Sequence, residues 1–288
     1  MSVDQRLEIF RLSILAREID EALHQLYRDG AITLTTPAGD GRIAMVGAAQ
    51  ALKASDMVFG TRRDLAAAIA RGVSVQQVFH QALGTTSDRS LGRGLPGTVN
   101  DGDQGVSLSD GSPATHLVHA VGFGHAARLS GGERVALALF GSAAQANGEL
   151  HAALNFAAVN QTQTVFVARG PLAGELLLSD VGHAWGIRTL RVQGDDGLAV
   201  WEAVTEARVR AVKGEGPTLV DARLEGNAQA VDGQKLQEAG GLTAETEIAM
   251  KTAIRTELVA AIKVAQSAPT VSKHTLFNET YSDRPWFL

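Results

Sequence analysis

The stretch VALALFGSAAQANGELHAALNFAAVNQTQTVFVARG, residues 135–170, decides the fold. It opens on a continuous apolar run, 135–140 (VALALF), too short for a helix. Residues 149–159 then carry helical patterning, and 164–168 (TVFVA) repeat the apolar run. Working outward, 189–192 and 218–222 (TLVDA) are of the same type, with helical patterning over 198–213 between them. Strands buried on both faces and separated by helices are the pattern of right-handed crossovers that feed a parallel sheet. The expected fold class is therefore α/β, a parallel sheet with helices on both faces.

Upstream, Leu7, Phe10, Leu12, Leu15, Ile19, Leu23 and Leu26 fall near one face of an amphipathic helix over 4–29. Residues 31–42, rich in Thr, Gly and Pro, read as loop, and helical patterning returns over 43–53 and 64–83. The Gly-, Ser- and Asp-rich segment 85–112 reads as a long loop, of the kind that serves as a lid or mobile segment. A last helix is expected over 243–266, opened by a Thr-x-x-Thr pattern with Glu245 and Glu247 in its first turn. The tail, 268–288, reads as extended and lying across another surface. There is no internal repeat and no interdomain linker, so 1–288 is expected to form one α/β domain.

The 288 residues are 45% hydrophobic and 20% charged, an ordinary globular composition. With no cysteine, disulfides, thiolate metal sites and cysteine nucleophiles are excluded. Lys and Arg number 26 against 31 Asp and Glu, a net charge of -5 that offers no footprint for nucleic acid. The start, MSVDQRLEIFRL, lacks the basic head and apolar run of a signal peptide, and no run of about 18 apolar residues is present to span a membrane. The expected location is cytoplasmic.

GRGLPG, with Gly92, Gly94 and Gly97, matches the dinucleotide fingerprint by letter but not by context, since it lies in a polar loop and carries Pro96. Gly122 and Gly124 sit in an Ala-rich helical stretch, where close packing explains small residues. His116 and His119, three apart on one helix, have no acidic residue at a matching spacing to complete a metal site and read as structural or solvent-facing. Arg62 and Arg63 follow the apolar run DMVFG, either as cations that meet a phosphate or as a solvated helix start.

Several segments together resemble the alpha subunit of the decarboxylating component of 2-oxo acid dehydrogenases, thiamine diphosphate enzymes of the pyruvate and branched-chain families, and the branched-chain type above all. The segments are GAAQALKASDMVFGTRRDLAAAIARG (47–72), GSPATHLVHAVG (111–122), FGSAAQANGELHAALNFAAVNQTQTVFVARG (140–170), VQGDDGLAVWEAVTEARVRAVKGEGPTLVDA (192–222) and the closing LFNETYSDRPWFL. The resemblance implies a thiamine diphosphate-binding fold, a beta-type subunit as partner in an α2β2 heterotetramer, and a cofactor lying between the subunits. It also implies a lipoyl acyltransferase downstream. By position it implies cofactor contacts at Arg63 and Arg169, at Ala114 and Thr115, and at Gly141 and Ser142, with Arg62 in place of the Tyr of a Tyr-Arg pair that meets the diphosphate.

The chain departs from the family at the magnesium ligands. Ser142, between Gly141 and Ala143, stands where the acidic ligand belongs, and Gly170 and Pro171 replace an Asn-Asn pair at the family's spacing. A further ligand, a backbone carbonyl, falls at Ala173, and Gln229 and Ala230 replace a His-His-Ser stretch. Magnesium takes hard oxygen ligands in near-octahedral geometry, so loss of both side-chain donors implies weakened magnesium-dependent cofactor binding. Two functions follow from the resemblance. One is an alpha-type subunit of an oxidoreductase that decarboxylates a branched-chain or related 2-oxo acid and passes the acyl group to a lipoyl arm. The other is a noncatalytic subunit, a pseudoenzyme or phosphometabolite-binding protein of the same fold.

Overall fold

The computed structural model describes residues 2–37, 39, 41–171, 178–225, 234, 237–238, 241–277, 283 and 286. A 26-residue helix, α1 (Val3–Arg28), opens the chain. The Ser2 hydroxyl accepts from the Gln5 amide while the Gln5 side chain accepts from the Ser2 amide, so two backbone donors that lack helical partners are satisfied. Helices α2 (Arg42–Gln50), α3 (Leu65–Ala70), α4 (Val75–Leu83), α5 (Thr115–Leu129), α6 (Gly148–Asn160), α7 (Leu178–Ala184), α8 (Gly197–Val212) and α9 (Ala244–Ser267) follow. The Thr243 and Thr246 side chains and amides cap α9 reciprocally, as its Thr-x-x-Thr opening leads one to expect. No helix among the described residues is long and apolar enough to cross a membrane.

Among the described residues seven strands form one sheet: β1 (Met57–Thr61), β2 (Asn100–Asp101), β3 (Val106–Ser109), β4 (Ala136–Gly141), β5 (Thr164–Pro171), β6 (Arg188–Gln193) and β7 (Thr218–Leu224), in the order β2-β3-β1-β4-β5-β7-β6. Every neighbouring pair is parallel except β2 with β3. Alternate side chains of β1, β4, β5 and β7 enter different cores. Leu137, Leu139, Val165, Val167, Val220 and Ala222 pack with α1, α2, α8 and α9, whereas Ala136, Ala138, Phe140, Phe166, Ala168 and Leu219 pack with α5 and α6. Period-two alternation thus buries both faces, which is why these strands read as continuous apolar runs. The α/β sheet covered by helices on both faces is as the sequence indicates.

Two segments differ from their sequence reading, and a third, which carried no assignment, is a strand. The helical patterning over 64–83 is two helices, α3 and α4, separated at Gly72. This residue has φ +102°, and a Cβ there would stand 2.8 Å from Gln104 Oε1. The apolar MVFGT is β1; at five residues it is too short for periodicity to separate a strand from a buried helical turn. The long loop 85–112 contains β2 and β3; β3 lies parallel to β1, and β2 covers it as the antiparallel edge strand. Its approach is held by side chains: Asp88 accepts from the Ser90 and Gly92 amides at 3.0 and 2.8 Å, and Gln81 donates to the Gly94 and Leu95 carbonyls at 3.2 and 2.7 Å.

GRGLPG lies between α4 and β2 without a preceding strand or a following helix. Gly124 is a close-approach residue, since a Cβ would stand 2.3 Å from Thr164 Oγ1 at the start of β5, but Gly122 is exposed with nothing within 4 Å. The start of the tail lies across the loop after α4: the Thr86 amide donates to Pro269 and the Val271 amide to Gly84, at 2.8 and 3.2 Å. Ala173, Gln229 and Ala230 lie outside the described residues, as do most of 278–288.

Candidate functional site

From β1 the sheet grows one way to β3 and from β4 the other way to β5, so a crevice opens beyond the carboxyl ends of β1 and β4. In open α/β sheets that is where ligands bind. A cavity of about 700 Å³ lies here, lined from the ends of β1, β3, β4, β5 and β7 and from the segment before α2. Its volume is in the range of small-molecule sites.

The turn after β1 is built by its own sequence, TRRD. Asp64 turns back so that its Oδ2 accepts from the Thr61 amide at 2.8 Å and the Thr61 hydroxyl at 3.0 Å, and the Thr61 hydroxyl accepts from the Arg63 amide at 3.3 Å. This reciprocal cap fixes Arg62 and Arg63 at the cavity wall. The Arg62 guanidinium donates to Thr36 Oγ1 at 2.9 Å and pairs with Asp110 at 3.2 Å. Arg63 is exposed, and its guanidinium has no partner among the described residues. Arg169, in register with Gly141, reaches from β5 past the end of β4 to form an ion pair with Asp64. Both groups are withdrawn from water, the Arg169 side chain to 10% and the Asp64 side chain to 1% exposure, and Arg169 Nε is buried without a hydrogen-bond partner.

Of the residues marked by the sequence, Arg62, Arg63, Gly141, Ser142 and Arg169 come together around this cavity. Ala114 and Thr115 do not line it. Ala114 is buried behind Pro113, which does, and the Thr115 hydroxyl is directed at Ser112 Oγ, 3.1 Å away. Thr36, Asp64 and Asp110 were not singled out by the sequence reading. Asp64 carried a signal, the Thr-x-x-Asp spacing of a cap, whereas Thr36 and Asp110 come from distant segments that only the fold brings near Arg62.

These residues do not fit a magnesium ion. Ser142 offers one neutral, exposed hydroxyl and Pro171 no side-chain donor; the Pro171 carbonyl accepts from Arg223 at 2.8 Å. Asp64 and Asp110 are each already paired with an arginine, which leaves Glu225 as the cavity carboxylate without an ion pair among the described residues. No group of three or more His, Asp or Glu among the described residues is arranged to hold a metal ion. The arginines do suit an anion, because a guanidinium presents a planar fork of donors that matches phosphate oxygens.

His116 is buried on α5, its Nε2 2.6 Å from the Leu139 carbonyl on β4, and its Nδ1 has no partner; His119 is exposed. Burial pushes the His116 pKa below its ordinary 6.5, so the folded protein holds the imidazole neutral, with Nε2–H donating to Leu139. The unfolded chain binds that proton more readily, and stability therefore falls as pH drops from 6.5 toward the depressed value, with no contribution above that window. His116→Gln is expected to flatten this part of the profile in urea titrations across pH. An unchanged slope would show that folding leaves the His116 pKa at its unfolded value.

The family model described as "Dehydrogenase E1 component" matches residues 10–170 and 176–224. The chain belongs to this dehydrogenase E1 family. Within it, the chain is similar to alpha subunits of branched-chain 2-oxo acid dehydrogenases. It is 27% identical to the 2-oxoisovalerate dehydrogenase subunit alpha of Bacillus subtilis, over 96% of both chains. With the mitochondrial 2-oxoisovalerate dehydrogenase subunit alpha 2 of Arabidopsis thaliana it shares 24% identity, over 99% of this chain and 68% of the relative. With the 3-methyl-2-oxobutanoate dehydrogenase subunit alpha of Mycobacterium tuberculosis it shares 30%, over 74% of this chain and 59% of the relative.

Proposed function

We propose that this chain acts with a beta-type subunit, as α2β2, in a 2-oxo acid dehydrogenase decarboxylating component of branched-chain type. The observation that carries this reading is the arginine-lined cavity at the β1–β4 crevice, inside the region over which the chain matches its family. The assembly's substrate is a branched-chain 2-oxo acid, its cofactor thiamine diphosphate, and its acyl acceptor a lipoyl group on a partner acyltransferase. This chain's own part is to supply an assembly surface and to set arginines at one wall of the shared site. No step is assigned to a metal held by this chain, because Ser142, Pro171 and the paired carboxylates do not fit one.

The replacements at Ser142 and Pro171, which offer no fitting metal ligands, favour a second reading, a noncatalytic subunit of the same assembly or a phosphometabolite-binding protein of the same fold. The two separate in one experiment: purification from native cells with whatever is bound, identification of the partner, and assay for thiamine diphosphate and magnesium. A beta-type subunit in equal amount is expected, and its absence would overturn the assembly reading. Cofactor and metal near one per chain would favour the catalytic reading; neither present would favour the noncatalytic one. In the assembled complex, Ser142→Asp with Pro171→Asn is expected to strengthen magnesium-dependent thiamine diphosphate binding by about tenfold, since it returns an anionic and an amide ligand. No gain would show that the cavity differs from a metal site beyond those two positions.

A further inference from the structure

We infer that Asp110 is a positioning residue, through which a strap formed by the start of the tail, residues 269–275, sets the β1 side of the cavity. The inference rests on the reading of the cavity as this chain's share of the family site, and it adds how that site is regulated from the tail.

The strap is seated by backbone. On either side of the antiparallel bridge Thr85↔Thr270, the Thr86 amide donates to the Pro269 carbonyl at 2.8 Å and the Val271 amide to the Gly84 carbonyl at 3.2 Å. Farther on, Arg93 Nη2 donates to the Thr275 carbonyl at 2.6 Å. Thr85 is itself buried, its hydroxyl 2.8 Å from His80 Nδ1 on α4, so the strap closes on a fixed point.

The loop beneath the strap is strained at one place. Leu91 has φ +49° and Gly92 φ +70°, and a Cβ on Gly92 would lie 3.9 Å from Val271 Cβ. Left-handed backbone is unfavourable for leucine, and a residue is held there only when its surroundings over-determine it. Here the surroundings are Asp88, which accepts from the Ser90 and Gly92 amides, and the strap that crosses Gly92. Release of the strap lets Leu91 leave that region, so the loop has two arrangements that the strap selects between.

The far end of the loop reaches the cavity. Gln81 donates to the Gly94 and Leu95 carbonyls and accepts from the Gly97 amide at 2.9 Å, which binds 94–97 into one turn. From that turn the Leu95 amide donates to Asp110 Oδ2 at 3.3 Å, while Asp110 Oδ1 accepts from Arg62 at 3.2 Å. Asp110 and Arg62 directly follow the register partners Ser109 and Thr61 at the ends of β3 and β1. One carboxylate thus joins the loop, on one oxygen, to the cavity wall, on the other.

The test is hydrogen exchange of the full chain, read amide by amide by NMR, with a double-mutant cycle on pyrophosphate affinity. Val271→Pro removes the amide that seats the strap. The Thr86 amide, bonded to the strap itself, is expected to exchange about tenfold faster, and so is the Leu95 amide, which bonds to Asp110 rather than to the strap. Acceleration at Thr86 alone is what a local brace gives and would overturn the inference. The amides of α8 report the global fold. If they accelerate too, Val271→Ala, which keeps the amide and trims the contact over Gly92, is read instead, with the same pattern at about threefold.

Pyrophosphate is the probe for the cavity. Val271→Pro is expected to weaken it about fivefold in the parent and to have no effect in the Asp110→Ala background. Equal losses in both backgrounds would overturn the inference, since the strap would then act without Asp110. In a chain that binds no pyrophosphate, the exchange pattern alone decides. Failure here is distinguishable from failure of the assembly reading. A chain that purifies with a beta-type subunit but shows acceleration at Thr86 alone loses only this inference, and one that transmits the change to Leu95 but has no such partner loses only the assembly.

Discussion

Asp56→Ala is expected to lower the free energy of unfolding by about 3–5 kcal/mol, the range for removing one partner of a buried ion pair. Asp56 and Arg208 form such a pair, with side chains 0% and 7% exposed and Arg208 Nε 2.5 Å from Asp56 Oδ2. The carboxylate also accepts from the Val135 amide at 2.9 Å and the Lys53 amide at 2.7 Å. It therefore ties the start of β1 to the start of β4 and to α8, and truncation leaves a buried guanidinium and two amides without their acceptor. The consequence reaches the cavity, because the register Met57↔Ala136 set at this end of β1 and β4 fixes the offset of Thr61 from Gly141 at the other. Arg208→Met is expected to cost less, since Asp56 retains both amide donors and the methionine fills much of the volume. Urea denaturation of both variants at neutral pH is the check. Equal midpoints for parent and Asp56→Ala would show that the buried pair carries no net stability, and a larger loss in Arg208→Met would place the burden on the arginine's bond to the Glu133 carbonyl.

How far the sequence could be read depended on the length of each element and on how local its partners are. β4, β5 and β7 were legible because strands buried on both faces must be apolar throughout, and the helices after β4 and before β7 were long enough to show their own period. β1 and β3 were not. Five and four residues give too few alternations, and their place in the sheet depends on pairing with each other across the loop that separates them. The site divides similarly. Arg62, Arg63, Gly141, Ser142 and Arg169 were legible through their resemblance to a family pattern, and the structure gathers them at one crevice. What the sequence did not carry is the state of those arginines. That Arg169 is clasped by Asp64 and Arg62 by Asp110 follows from contacts spanning 105 and 48 positions, which no local spacing reveals. Asp64 is the instructive case. As the last residue of a TRRD cap its local role was readable, but its bond to Arg169 converts it from a carboxylate open to a cation into the counterion of the cavity.

That conversion makes Asp64→Asn the more informative of the site variants, because stability and binding are expected to move in opposite directions. Asparagine has nearly the same shape, and its carbonyl can still accept from the Thr61 amide, so the turn after β1 retains its main cap. The charge is lost, and Arg169, with its side chain 10% exposed, is left as an unpaired cation facing the cavity. Unfolding free energy is expected to fall by about 1–3 kcal/mol, less than for a fully enclosed pair because the cavity admits water to part of the guanidinium. Pyrophosphate affinity in EDTA is expected to rise by about tenfold, since the ligand no longer competes with a carboxylate for the same donors. Titration and urea denaturation on one preparation read both effects. If affinity fell together with stability, Asp64 would be holding the guanidinium in its binding pose and the charge would be secondary. If affinity were unchanged while stability fell, Arg169 would be a structural ion-pair partner only, and Arg63 alone would carry what anion binding the cavity has.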